Sequence, residues 1–111
     1  MRVYVAGKYS DSNIINCLNN MHDGMKASVE VLKLGYACFC PWLDYQFQFF
    51  DKTLVVEDYY RYSIAWLEVS DCMLVLPNFE NSKGTLAEIK RAEELNIPIF
   101  YSLEELKQWK V

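Results

Sequence analysis

The hydrophobic positions of this 111-residue chain alternate between short continuous runs and series spaced by three and four. Residues 2–7, Arg-Val-Tyr-Val-Ala-Gly, form a β-branched and aromatic run that stops at glycine, the pattern of a strand buried on both faces. Over residues 13–34 the apolar positions Ile14, Leu18, Met21, Met25, Val29 and Leu32 fall on one stripe of a helix, and Gly35 follows as a left-handed stop. Residues 36–40 predict a second strand closed by Pro41, and residues 42–56, which show no clean period, a long loop. Helical spacing resumes over 57–69 through Tyr62, Ala65, Trp66 and Val69, which predicts that Tyr62 and Trp66 lie on the buried side. Residues 72–76, Cys-Met-Leu-Val-Leu, are the most apolar run of the chain and end at Pro77. A polar, turn-rich stretch at 78–83 leads into a third helix over 85–95, with Leu86, Ile89, Ala92 and Leu95 on one face, and then into a last strand over 97–101. Ser102 opens a short final helix, with Glu105 three residues on completing a capping box.

Strands alternating with helices imply a parallel sheet with right-handed crossovers, covered on both faces. The predicted fold class is α/β: a three-layer α/β/α arrangement of the flavodoxin-like or Rossmann-like kind, strand order 2-1-3-4, with residues 1–111 forming a single domain. Ligand crevices in such sheets lie beyond the carboxyl ends of the strands where the order reverses, here between strands 1 and 3. The loops at that point are residues 7–12, Gly-Lys-Tyr-Ser-Asp-Ser, and residues 77–84, Pro-Asn-Phe-Glu-Asn-Ser-Lys-Gly. Each runs into a helix start, whose free N–H groups and dipole suit a phosphate or carboxylate. The same residues allow a plainer role, with Ser82 or Thr85 capping the third helix and Lys8 and Lys83 solvated. Neither the dinucleotide nor the Walker glycine pattern is present.

Charge narrows the partners. A formal net charge of −4 argues against a surface that neutralises many phosphates, and so against duplex nucleic acid. No apolar run approaches the roughly 18 residues that span a bilayer, and the opening run is too short for a signal-peptide core, so no membrane partner and a cytoplasmic location are expected. Cys17, Cys38, Cys40 and Cys72 form no Cys-x-x-Cys pair and read as reduced core thiols, with no metal site and no cofactor expected. Aromatic residues make up 15% of the chain, and eleven of them crowd between Tyr36 and Trp66. Tyr45, Phe47, Phe49 and Phe50 exceed what a small core hides, which points to an interface or a ligand.

Glu88 falls one turn into the third helix, six residues after Ser82, near enough to the crevice for its carboxylate to enter it. Tyr4, inside the first strand, reads alone as a core aromatic. His22 lies on the long helix away from both loops with no nucleophile placed beside it, so triad chemistry has no support.

The segments Val3-Tyr4-Val5-Ala6-Gly7, Trp66-Leu67 followed by Ser70-Asp71, and Ser82-Lys83-Gly84-Thr85-Leu86-Ala87-Glu88 together resemble the nucleoside 2-deoxyribosyltransferase-like superfamily. The likeness is strongest to its short bacterial and phage members and to the 2′-deoxynucleoside 5′-monophosphate N-hydrolases. It implies that Glu88 is the nucleophile that attacks the anomeric carbon and displaces the base, and that Tyr4 positions it. Ser82 matches a position that is serine in the monophosphate hydrolases and aspartate in the transferases, where it meets the 5′ end of the nucleoside. A hydroxyl there suits a phosphate, so hydrolysis of a (deoxy)nucleoside 5′-monophosphate is expected ahead of base exchange. Where the superfamily has an aspartate that serves the leaving base, this chain has Ser63; Asp58 and Asp44 are the carboxylates that could replace it. In the first loop Lys8-Tyr9-Ser10 stands where the hydrolases carry a Ser-x-Arg phosphate clamp.

The expected substrate site is thus Gly7, Lys8, Ser10, Trp42, Asp44, Phe47, Ser63, Ser82 and Gly84 around the catalytic Glu88 and Tyr4. Trp42, Tyr45 and Phe47 would stack on a base or seal a contact between copies. The resemblance also implies a homo-oligomer. Two other readings stand beside the enzyme: a nucleotide-binding module that lost turnover with the missing aspartate, and an oligomeric adaptor with a vestigial crevice.

Overall fold

Side chains along β1 (Arg2–Ala6) alternate between two cores, and that alternation sets the layers. The computed structural model describes residues 1–109. Its sheet is wholly parallel in the order β2-β1-β3-β4, the order predicted, with β2 at Ala37–Phe39, β3 at Cys72–Val75 and β4 at Ile99–Phe100. In the β1–β3 pair Val3 sits opposite Cys72 and Tyr4 opposite Met73. Val3, Val5, Cys72 and Leu74 face α1 (Ile14–Lys33) and α4 (Leu103–Gln108) through Val31, Trp42 and Leu106. Tyr4, Ala6, Met73 and Val75 face α2 (Val56–Leu67) and α3 (Lys83–Glu94) through Leu67, Ile89 and Ala92. The three-layer arrangement follows.

The predicted ends of α1 and the predicted start of α4 hold. Asn13 caps α1 by accepting from the Ile15 N–H at 2.8 Å, and Gly35 adopts φ +96° beyond its last turn. Ser102 caps α4 by accepting from the Glu105 N–H at 3.1 Å, while the Glu105 carboxylate reaches back to the Tyr101 N–H.

Four expectations are corrected. Residues 42–56 are not simply a loop, because a 3-10 helix occupies Pro41–Phe49. Four of the six residues of the predicted α1 stripe face out, Ile14, Leu18, Val29 and Leu32 all being exposed; Met21 and Met25 pack against the core beside the buried Gly24, Ser28 and Val31. The reason is Trp42, whose indole lies flat against the helix: a Cβ on Gly24 would stand 2.2 Å from the ring. A large aromatic has taken the volume that the stripe would have filled. Tyr62 and Trp66 of α2 are exposed as well, with Ser63 and Leu67 the buried row one residue on. They cover the sheet edge from outside, stacking around Phe39 with ring centroids 5.9 and 5.7 Å away. On α3, likewise, Thr85 joins Ile89 and Ala92 in the core while Leu86 is exposed. The four cysteines are free; Cys40 and Cys72 are buried, Cys17 and Cys38 half-buried.

Candidate active site

A cavity of ≈ 570 Å³ opens beyond the carboxyl ends of β1, β2 and β3. Its walls come from the loop after β1, the 3-10 helix after β2, the start of α2 and the start of α3. Glu88 lines it. The Tyr4 hydroxyl, rising from a fully buried ring in β1, donates to Glu88 Oε2. The carboxylate is thereby fixed over the centre of the sheet at the strand-order reversal. Burial pushes Glu88 up to about 7; the Tyr4 hydrogen bond opposes that rise and the Asp44 charge adds to it. Burial, then Glu88, raise Tyr4 well above the usual phenol range, so its hydroxyl stays a donor.

Ser82 lies at the start of α3. Its Oγ accepts from the Thr85 N–H at 3.2 Å and shares a 2.8 Å hydrogen bond with the Thr85 hydroxyl, so it does cap the helix. The capping role does not remove it from the cavity, which it lines together with Lys83, Gly84 and Thr85. Gly84, in the first turn of α3, has open space where a Cβ would be.

Asp44 enters from the 3-10 helix. It is only 7% exposed, and the Tyr9 hydroxyl donates to its Oδ1 at 3.2 Å. Burial raises Asp44 to about 6, against the pull of that hydrogen bond. Burial and the neighbouring Asp44 charge raise Tyr9 above the usual phenol range.

Of the residues expected from the sequence, the cavity brings together Gly7, Ser10, Trp42, Asp44, Ser63, Ser82, Gly84 and Glu88, with Tyr4 directly behind Glu88. Ser63 also contacts the Tyr4 phenol. Two lie elsewhere. Lys8 faces a second, smaller cavity with Asn20 and Asp23 and pairs with Asp11 at 3.6 Å; among the described residues Lys83 is the cation on the main cavity. Phe47 packs edge-on against Tyr62 at 5.7 Å, outside the lining. Trp42 reaches the cavity as a core residue, 1% exposed, with its indole N–H donating to the Lys8 carbonyl at 3.2 Å. A base could meet its edge, not slide over its face.

Tyr9, Tyr59, Tyr60 and Gln48 were not singled out from the sequence, yet they line the cavity. Tyr59 and Tyr60 lie one helical turn before Ser63, a spacing that could have found them. The Tyr59 hydroxyl is buried without a hydrogen-bond partner. Among the described residues no group of three or more His, Cys, Asp or Glu is placed to hold a metal ion, and no helix is long and apolar enough to cross a membrane.

Parallel sheet, strand order and covering helices define a protein with the fold of a 2-deoxyribosyltransferase. A solved structure of the 2-deoxyribosyltransferase from the psychrotolerant bacterium Bacillus psychrosaccharolyticus, a biocatalyst for nucleoside synthesis, is similar with a TM-score of 0.65. The match covers 99% of this chain and 93% of that one at 12% identity, a likeness of fold. Within that class the chain belongs to the family described as domain of unknown function DUF4406, whose model matches residues 1–101. No curated protein matches it in sequence.

Proposed function

We propose that this protein cleaves the N-glycosidic bond of a (deoxy)nucleoside 5′-monophosphate, with Glu88 as nucleophile and water as the final acceptor. The observation that carries this reading is the buried Glu88 carboxylate, held by Tyr4 at the strand-order reversal and facing a cavity large enough for a nucleotide. The nucleoside chemistry named for the similar 2-deoxyribosyltransferase agrees with it. Glu88 attacks C1′ and the base leaves with the bonding pair; water then opens the glycosyl ester, giving net retention. The phosphate belongs at the start of α3, where Ser82, the Gly84 N–H and Lys83 converge on the cavity with the helix dipole. A carboxylate at position 82 would repel it, which favours a nucleotide over a free nucleoside. Incubating the protein with a panel of nucleoside and deoxynucleoside monophosphates releases free base, and Glu88→Ala releases none. Equal release from both, or none from either, would overturn the reading.

Ser63 supports a second reading, a module that binds nucleotides without turnover. It predicts a saturable thermal shift with monophosphates and no free base, and gain of hydrolysis in Ser63→Asp.

The same account includes assembly with further copies and a cytoplasmic location. The outward stripe of Ile14, Leu18, Val29 and Leu32 on α1, and the cluster of Phe47, Tyr62 and Trp66, favour a homo-oligomer. Light scattering at micromolar concentration gives at least a dimer, and a monomer there removes the assembly from the account.

A further inference from the structure

We propose that Asp44, set in place by Tyr9, is the acid that protonates the departing base, a role Ser63 does not fill. This rests on Glu88 as nucleophile, and topology supplies its first argument. β2 and β3 flank β1 on opposite sides. Ser82 and Gly84 follow β3, Asp44 follows β2, and Glu88 is fixed between them by Tyr4 of β1. A nucleotide with its phosphate at the start of α3 and C1′ at Glu88 therefore extends its base toward the 3-10 helix and Asp44.

The second argument is elimination among the carboxyls. Asp58 is engaged at the start of α2, accepting from the Val55 N–H at 2.9 Å and pairing with Arg61 at 3.1 Å, and it does not line the cavity. Asp11 accepts from the Asn13 N–H and pairs with Lys8. Asp44 shares the cavity with Glu88. Tyr9 holds its Oδ1, whereas Oδ2 has no hydrogen-bond partner among the described residues and can carry the proton. Tyr59 also lines the cavity, with its hydroxyl buried beside Tyr9 and without a hydrogen-bond partner.

The step balances. A Glu88 oxygen bonds to C1′ as the C1′–N bond breaks; the electron pair stays on the base, which takes the Asp44 proton through one of its nitrogens. Asp44, now a carboxylate, accepts a proton from the water that attacks C1′, and cleavage of the ester restores ionised Glu88 and protonated Asp44. The net reaction adds one water across the glycosidic bond.

The groups around Asp44 are Tyr9 after β1, Tyr4 of β1 and Glu88 of α3, with Tyr59 of α2 beside Tyr9 and Lys83 at the cavity's α3 side. Protonated Asp44 no longer repels Glu88, and the Tyr4 hydrogen bond then favours the ionised nucleophile. Glu88 holds its proton up to about pH 7 and Asp44 only up to about 6, so the form with ionised Glu88 and protonated Asp44 is the minor one of the singly protonated pair; cleavage that needs it peaks between about pH 6 and 7 and falls on either side.

The test compares a nucleoside monophosphate with the 4-nitrophenyl glycoside of the same sugar phosphate, whose leaving group needs no proton. First-turnover release is followed for the unsubstituted protein, Asp44→Asn and Glu88→Gln. Asp44→Asn is expected to slow base release at least about 100-fold but nitrophenol release less than about tenfold. Glu88→Gln abolishes both. A second measurement needs no variant: the unsubstituted protein loses base release above about pH 7 but keeps nitrophenol release there. Equal slowing of both substrates in Asp44→Asn, no slowing of either, or the same alkaline fall for both substrates overturns Asp44 as the acid and leaves Glu88 standing. Release of neither product by the unsubstituted protein overturns the reading of Glu88 and this proposal together.

Discussion

The two ends of the cavity are built from different materials. At the α3 end the lining is a hydroxyl cap, a glycine and the rest of the first turn of α3, all held by the helix itself. At the 3-10 end it is a carboxyl, phenols and an indole edge, held by packing between α1, α2 and the sheet. The first end offers donors and a positive dipole, which suit an anion. The second offers apolar walls around a carboxyl whose proton leaves near neutrality, which suits a base and a proton transfer. Glu88 stands between them. A nucleotide needs that asymmetry, and a site of uniform polarity would serve neither end.

Three substitutions break the comparison in different places. The largest expected effect is at the aromatic end. Trp42→Ala removes a fully buried indole that supports α1 at Gly24 and is expected to cost about 3–5 kcal/mol in denaturant unfolding. A loss under 1 kcal/mol would mean the 3-10 segment is not part of the core. The next lies at the centre. Glu88 binds its proton more tightly in the folded chain, up to about 7 against an ordinary 4.5, so its favourable contribution is present at low pH and is lost as pH rises through about 7. Glu88→Gln should therefore raise stability by on the order of 2 kcal/mol at pH 8 and change it little at pH 5. Thermal melts at the two pH values check this, and equal shifts would contradict it. The smallest effect belongs to the anion end. Ser82→Asp keeps a good cap but sets a carboxylate beside the phosphate, raising KM for the monophosphate roughly tenfold and sparing the free nucleoside. Equal KM changes for both would move the phosphate away from α3.

The same asymmetry explains what was legible in the sequence. The α3 end is local: Ser82, Gly84 and Glu88 lie within seven residues, and their roles follow from helix capping and spacing. The strands were legible because Val3, Tyr4, Val5 and the 72–76 run are apolar without interruption and stop at Gly7 and Pro77. The other end is tertiary. In a 3-10 helix side chains align every three residues, so Trp42, Tyr45 and Gln48 share a face that a 3.6-residue pattern scatters. The α1 stripe misled for a related reason. Periodicity finds an apolar face but not which face meets the sheet, and here the bulk of Trp42 selected Gly24. Tyr9 was hidden because the hydrogen-bond partner of its phenol, Asp44, is 35 residues away.

The central claim is that Glu88 bonds covalently to the sugar between these two ends. A 2-deoxy-2-fluoro nucleoside monophosphate slows the breakdown of a glycosyl ester, and intact-protein mass spectrometry after incubation reads it directly. The account predicts a gain equal to one fluorinated sugar phosphate, mapped to the peptide that contains Glu88 and absent in Glu88→Gln. Base release with no adduct, or an adduct on another residue, would contradict it.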